Sequence, residues 1–238
     1  MIKRRPSKQI YVGGVPIGGD APITVQSMTN TKTSDVAATV GQIERLAQAG
    51  CELVRVAVPD MEAAQAIRSI RDQIHLPLIV DIHFDARLAI AAIEHGAQAV
   101  RLNPGNLGGE QKLAMVVAAA RAHAIPIRVG VNSGSIAKDL LTRFGYPTPE
   151  HPEALIESAL ENVRSLERLG FSDIKVSIKS ADVLTTIASY RLLAQSCDYP
   201  LHIGVTEAGG LIAGTVKSSV GLGILLYEGI GDTLRISL

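Results

Sequence analysis

Short runs of Val, Ile and Leu alternate with longer amphipathic stretches along almost the whole chain. The apolar runs have the length of buried strands, and the amphipathic stretches have the periodicity of helices. A short hairpin at about 9–18 precedes this alternation. Eight strands are predicted, at 23–28, 53–58, 78–83, 99–103, 127–132, 174–179, 201–207 and 233–238. Helices are predicted between them, near 35–49, 61–74, 86–95, 110–124, 152–169, 181–196 and 211–228.

Strict alternation of strands and helices predicts an α/β fold with a parallel sheet. A closed (β/α)8 barrel of the TIM type is favoured over an open sheet, because eight strands fit a domain of this size. Polar residues also end almost every strand, whereas an open doubly wound sheet concentrates its chemistry at one switch point. We therefore expect a single domain, 1–238, with the barrel at 23–238. No eighth outer helix is predicted, so we expect the natural protein to continue.

The charges of the chain balance, with 23 Lys and Arg against 23 Asp and Glu. This balance gives no reason to expect a nucleic acid or an anionic membrane as partner. There is no apolar run of membrane-spanning length, and the basic start is followed by glycines rather than by a signal sequence. Cys51 and Cys197 both precede predicted strands, so we expect buried thiols in a cytoplasmic protein and no metal site in this chain.

The predicted strands end in polar residues that recur at every second position. Residues two apart on a strand share a face, so we expect these side chains to point into the upper end of the barrel. Buried like charges repel, and arginine forks match phosphate oxygens, so this excess of cations predicts a phosphate-bearing ligand. The set comprises Arg55, Asp81, His83, Arg101, Asn103, Arg128, Asn132, Lys175, Ser177, Lys179, Glu207, Arg235 and Ser237.

Several members of this set have a plainer interpretation when taken singly. His83 has the alternative of a hydrogen-bonded structural histidine, and Asp81 that of a carboxylate that orients an arginine. Lys175 has the alternative of a position deep in the barrel as the partner of Glu207. The recurrence of inward polar residues on seven strands favours a shared site over seven separate structural roles.

Longer motifs around these residues carry a resemblance to a known family. The chain resembles, over essentially its whole length, the N-terminal barrel of the bacterial 4-hydroxy-3-methylbut-2-enyl diphosphate synthases of the non-mevalonate isoprenoid pathway. The motifs are 25–31 (VQSMTNT), 81–84 (DIHF), 101–106 (RLNPGN), 128–135 (RVGVNSGS), 175–179 (KVSIK), 206–210 (TEAGG) and 229–238 (GIGDTLRISL).

The resemblance implies an oxidoreductase that opens 2-C-methyl-D-erythritol 2,4-cyclodiphosphate with loss of water. It implies ferredoxin or flavodoxin as electron donor, and a [4Fe-4S] cluster held by three cysteines and a glutamate of a separate C-terminal domain. It also implies a homodimer in which the cluster faces the barrel mouth of the other subunit. We expect that domain to be absent from this sequence, so that this chain binds the substrate without reducing it.

The resemblance also implies roles for individual residues. Asn132 and Glu207 are expected near the carbon skeleton, with Glu207 as the acid or base, and Asp81 joins them as a catalytic candidate. Asn103, Lys175, Ser177 and Arg235 complete the expected substrate-binding set. The residues expected to hold the diphosphate are Arg55, His83, Arg101, Arg128, Lys179 and Ser237.

Two other functions stay open at this point. One is a barrel enzyme that acts on a phosphorylated substrate without redox chemistry, as a pterin-binding synthase does. The other is a binding fragment that is catalytically incomplete.

Overall fold

The strands of the computed structural model, which describes residues 2–238, form a parallel barrel preceded by one hairpin. The hairpin consists of β1 (Ile10–Val12) and β2 (Val15–Ile17). The barrel strands are β3 (Thr24–Met28), β4 (Leu53–Ala57), β5 (Leu78–Asp81), β6 (Ala99–Leu102), β7 (Ile127–Asn132), β8 (Ile174–Lys179), β9 (His202–Ile203) and β10 (Thr233–Leu234). The helices are α1 (Val36–Gln48), α2 (Met61–Arg71), α3 (Ala86–Glu94), α4 (Glu110–Ala122), α5 (Lys138–Phe144), α6 (Glu153–Arg168), α7 (Val183–Ser196) and α8 (Leu211–Tyr227).

The order of the strands confirms the TIM-type barrel. The neighbours run β8-β7-β6-β5-β4-β3-β10-β9, and every pairing between them is parallel. A parallel bridge between Val176 of β8 and Leu201, directly before β9, joins the two edges. Closure places the carboxyl ends of all eight strands around one mouth, where the functional residues of such barrels lie.

The last two strands are shorter than predicted. After Ile203 and Leu234 the backbone leaves the strand ladder, although it stays near the mouth through a bond from Ala208 N–H to the Ser237 carbonyl, 3.3 Å long. The short helix α5 was not predicted, and among residues 2–238 no helix follows β10. Two 3-10 turns, Pro104–Asn106 and Ser133–Ser135, follow β6 and β7 directly.

The hairpin closes the amino-terminal end of the barrel. Its strands pair antiparallel, with Ile10 opposite Ile17. Its apolar side chains are buried against inward-facing residues at the starts of β4, β5 and β6. This cluster contains Ile10, Val12 and Ile17 of the hairpin and Leu53, Ile79 and Ala99 of the barrel.

The main apolar core lies between the barrel strands and the surrounding helices. Alternate residues such as Val56, Val80, Leu102 and Val129 are fully buried there, beneath helix residues such as Ile67. Because these apolar residues face outward to the helices, the residues between them face the barrel axis. The inward positions of the upper barrel are the polar set that the sequence singles out.

None of the helices formed by residues 2–238 combines the length and the apolar character needed to span a bilayer. Cys51 is buried and Cys197 is half-buried. Cys51 lies before the start of β4 and Cys197 before the start of β9, so both are at the end of the barrel opposite the mouth.

Candidate anion-binding site

A cavity of about 230 Å³ opens at the mouth of the barrel. Every barrel strand, or the loop directly after it, contributes to its wall. Of the thirteen residues predicted for the site, ten line the cavity, and Met28 and Thr206 were not predicted. The lining residues are Met28, Arg55, Asp81, His83, Arg101, Arg128, Asn132, Ser177, Lys179, Thr206, Arg235 and Ser237.

Asp81 is the one carboxylate in this lining, and it contacts two arginines. Its Oδ1 accepts a hydrogen bond from Arg101 Nη1 at 3.0 Å, and its Oδ2 lies 3.4 Å from Arg55 Nε. His83 Nε2 lies 3.8 Å from Oδ1. Burial acts to raise the pKa of Asp81, but the charges of Arg55, Arg101 and Arg128 outweigh it and hold the pKa below its usual value. Asp81 is therefore ionised, and it orients the arginines, which is the plainer of its two interpretations.

The cavity holds more positive charge than Asp81 can neutralise. Five cations line it, and the buried Arg128 leaves its Nε and Nη1 without a hydrogen-bond partner among the described residues. Burial, with the charges of Arg235 and Arg101, lowers the pKa of Arg55 to about 10. Burial and the nearby arginines also hold the pKa of Lys179 well below its usual value. These groups disfavour one another's charge, and a bound multivalent anion relieves that repulsion.

Two glycines on the inward face of the barrel make room for the cations. A Cβ on Gly130 would lie only 2.4 Å from Arg101 Nε, and the Gly130 carbonyl accepts a bond from Arg101 Nη2 at 3.2 Å. A Cβ on Gly204 would lie 2.6 Å from Lys179 Nζ. Their role was missed because the side chains that use this space, Arg101 and Lys179, come from other strands. The period of two along β7 places Gly130 on the face of Arg128 and Asn132.

A second polar layer lies beneath the cavity. Lys175 is 2% exposed and its Nζ has no hydrogen-bond partner among the described residues. His202 is fully buried with both ring nitrogens unpartnered in the same part of the chain. Burial, and then the charges of Arg128, Lys179 and Lys175, hold the pKa of His202 well below its usual value, so the ring is neutral. The sequence analysis missed His202, although it lies two residues before Gly204 and therefore also faces the barrel axis.

Lys175 is accordingly a correction to the predicted site. It lies below the cavity lining, and its charged neighbours are Arg128, Arg55 and Asp232 rather than Glu207. The alternative interpretation placed Lys175 deep in the barrel, where it lies, but paired it with Glu207, which follows the end of β9 and is not among its charged neighbours.

Asn103 and Glu207 are also not brought to the cavity. The Asn103 side chain caps the turn that follows β6, accepting a hydrogen bond from Gly105 N–H at 3.2 Å, and it lines a different cavity next to α4 and α6. Glu207 is exposed, with a left-handed backbone φ of 49°. The backbone of Asn103 is still extended, but its side chain is held by the turn that it caps, whereas at Glu207 the extended backbone has ended.

The described residues do not fit an iron-sulfur cluster. Residues 2–238 bring together no group of three or more His, Cys, Asp or Glu side chains suited to a metal ion. The Cys51 thiol lies 3.0 Å from the Leu53 carbonyl, and burial raises the pKa of both Cys51 and Cys197. Cluster ligands are thiolates, so neither cysteine is placed or ionised for that role.

Comparisons with known proteins agree with the fold and identify the family. The model of the GcpE TIM-barrel domain family matches residues 7–238. A relative from Desulfotalea psychrophila, named 4-hydroxy-3-methylbut-2-en-1-yl diphosphate synthase (flavodoxin), is 66% identical over the whole of this chain and 65% of its own length. A relative of the same name from Lawsonia intracellularis is 61% identical over 99% of this chain. The chain thus spans about 65% of the length of these two curated relatives.

Solved structures show the same fold at low identity. Dihydropteroate synthase from Stenotrophomonas maltophilia superposes with a TM-score of 0.71 at 17% identity, over 96% of this chain and 92% of that chain. The Xanthomonas albilineans enzyme, solved with 7,8-dihydropteroate, gives a TM-score of 0.67 at 18% identity, over 95% and 91% of the two chains. At this identity the likeness concerns the barrel alone.

Gly130→Ala is expected to weaken the binding of inorganic pyrophosphate by about tenfold, because the new methyl group displaces the Arg101 guanidinium. Titration calorimetry measures the affinity. Gly134→Ala, next to the same strand, is the matched control, because a Cβ there meets no atom within 4 Å. Equal affinities of the two variants would show that Arg101 binds the anion equally well from another position.

Pyrophosphate binding is also expected to protonate Lys179, because a bound anion raises the lowered pKa of its ammonium group. The complex then has the higher pKa, so between the pKa values of the free and bound states the affinity falls as the pH rises. The binding enthalpy should therefore vary with the ionisation enthalpy of the buffer. Lys179→Met should reduce this dependence, whereas the exposed control Lys217→Met should keep it. The same dependence in the wild type and in Lys179→Met would mean that Lys179 does not change its protonation on binding.

Proposed function

We propose, from the premise that this chain belongs to the GcpE TIM-barrel domain family, that its cavity binds 2-C-methyl-D-erythritol 2,4-cyclodiphosphate. The barrel would serve the reaction that forms (E)-4-hydroxy-3-methylbut-2-enyl diphosphate in isoprenoid biosynthesis. One observation carries this proposal: five cations and a single carboxylate line a cavity of about 230 Å³ at the barrel mouth. The names of the relatives support the choice of this diphosphate.

The diphosphate is held by the groups that lack a neutralising partner. Arg128 offers two unpartnered N–H groups, and Lys179 and Arg235 approach the same space from other strands. Each such charge-assisted bond is shorter and stronger than a neutral one. Because the barrel strands fix these groups before binding, part of the entropy needed to position the substrate is already lost.

The proposed reaction takes up two electrons, together with protons. A carbon–oxygen bond in the ring of the cyclodiphosphate breaks, and a hydroxyl group of its carbon skeleton leaves as water. Cations that contact the departing phosphate oxygen stabilise the negative charge that develops on it. Glu207 is proposed to supply a proton to the leaving oxygen. Glu207 is exposed and directly follows Thr206, which lines the cavity, so this role requires its side chain to turn towards the substrate on binding.

Flavodoxin is the proposed source of the electrons, because the names of both relatives include it. The residues of this chain do not fit the [4Fe-4S] cluster that the resemblance implies, so the role proposed for them is to bind and orient the substrate. Two free cysteines suit a reducing compartment, which supports the cytoplasm as the proposed location.

A homodimer is proposed through one face of α8. Along this face the helix exposes the large apolar side chains of Ile212, Val216, Val220 and Tyr227. An exposed apolar stripe of this kind is typical of a protein interface. Sedimentation equilibrium measures the particle mass independently of shape.

Arg128→Met is expected to lower the affinity for the cyclodiphosphate by at least about tenfold, since a charge-assisted bond contributes about 1.5–3 kcal/mol. The free energy of unfolding of the ligand-free protein should not fall, because the change removes a buried, unneutralised cation. Calorimetry and urea unfolding measure the two quantities. Arg164→Met is the control, because Arg164 is exposed and bonded to Glu157 on α6. Wild-type affinity in the Arg128 variant would exclude this arginine from the site.

Glu207→Gln is expected to leave cyclodiphosphate binding within about twofold of wild type, because Glu207 lies outside the cavity lining. Turnover should fall by about a hundredfold, which is the contribution typical of a proton donor. Turnover is measured in a longer, cluster-bearing enzyme of this family that contains this barrel. Glu150→Gln, on an exposed loop, should change neither quantity. Wild-type turnover of the Glu207 variant would assign the proton to another group.

A further inference from the structure

Met28 differs in kind from the rest of the cavity wall. It is the last residue of β3 and is paired in register with Arg55 of β4. Among the lining residues that the structure describes, Met28 alone has no nitrogen or oxygen in its side chain. The wall therefore offers one apolar surface in a ring of cations and hydrogen-bonding groups.

The Met28 thioether also contacts the cation beside it. Arg55 donates to Met28 Sδ from Nη2 at 3.0 Å and from Nε at 3.2 Å, while Nε lies 3.4 Å from Asp81 Oδ2. A thioether is a weak and uncharged acceptor, so it orients this edge of the guanidinium without neutralising it. Arg55 thus keeps its charge available to an anion, which a carboxylate at position 28 would prevent.

The other walls of the cavity are suited to the oxygen atoms of a ligand rather than to its carbon atoms. Going round the barrel from Arg55, the lining passes through Asp81, Arg101, Arg128 and Lys179 before it returns to Met28 through Arg235. Hydrocarbon placed against these groups would strip water from charges without replacing its hydrogen bonds. Only the β3 wall takes up apolar atoms without that penalty, and methionine adapts its shape to irregular partners.

We propose that Met28 is a specificity-determining residue: its thioether packs against the methyl-bearing carbon skeleton and makes the cavity prefer an organic diphosphate to inorganic pyrophosphate. This inference rests on the proposed function, and it adds the part of the wall that recognises carbon. The arginines and Lys179 recognise the phosphate oxygens that both ligands share.

The test compares two ligands, the cyclodiphosphate and inorganic pyrophosphate, on the wild type and on two variants. Met28→Gln keeps the length of the side chain and an acceptor for Arg55 but removes the apolar surface. Met28→Leu keeps the apolar surface but removes the acceptor. Calorimetry gives the ratio of the two affinities, and circular dichroism with urea unfolding verifies that each variant is folded. Met115→Gln, exposed on α4, is the matched control.

Met28→Gln should lower the affinity for the cyclodiphosphate by about tenfold and leave that for pyrophosphate within about twofold. Met28→Leu and Met115→Gln should keep the wild-type ratio. An unchanged ratio in the Gln variant, whether both affinities fall together or neither does, would overturn the role of Met28 while leaving the proposed function standing. Binding of pyrophosphate but not of the cyclodiphosphate by the wild type would overturn both.

Discussion

Repulsion between cations inside a closed barrel is the constraint on which the site depends. Asp81 ties Arg55 and Arg101 together, yet the other cations of the lining have no carboxylate of their own. In a water-poor interior such an excess of charge is unfavourable, and it depresses the pKa values of the lysines and arginines involved. The barrel tolerates this because its apolar core, between strands and helices, is separate from the polar axis.

The small residues of the site follow from the same constraint. Arg101 and Lys179 reach the cavity only because Gly130 and Gly204 leave space on the inward face. Beneath them, the neutral ring of His202 fills the axis without adding another charge. The site is therefore already formed in the free protein. Its binding energy comes from relief of the repulsion between cations that exists there before the ligand binds.

Sequence periodicity predicted the lining of the cavity well where strands are long and regular. Alternation placed Arg128 and Asn132 of β7 and Ser177 and Lys179 of β8 on the inward face, and all four line the cavity. It failed at Glu207, four residues after β9, because nothing in the period of two signals that the backbone has turned into a left-handed conformation there.

The other failures concern residues whose character hides their role. Gly130 and Met28 carry no polar group, so a search for polar residues passes over both, and the space that a glycine leaves depends on a side chain from another strand. The side chain of Lys175 faces the barrel axis as predicted, but it lies below the layer of residues that line the cavity. Alternation along a strand predicts which way a side chain points and not how far it lies from the mouth.

The hairpin of β1 and β2 has a consequence for how the barrel exchanges with its surroundings. Its apolar side chains close the amino-terminal end of the barrel, so bulk water and counter-ions reach the arginines through the mouth. Anything that rests on the rim, whether a lid or a neighbouring subunit, would lower the local dielectric constant around a bound anion and strengthen every contact to it at once. It would also shut the single route of escape, so that tighter binding and slower release would arise together from one covering surface.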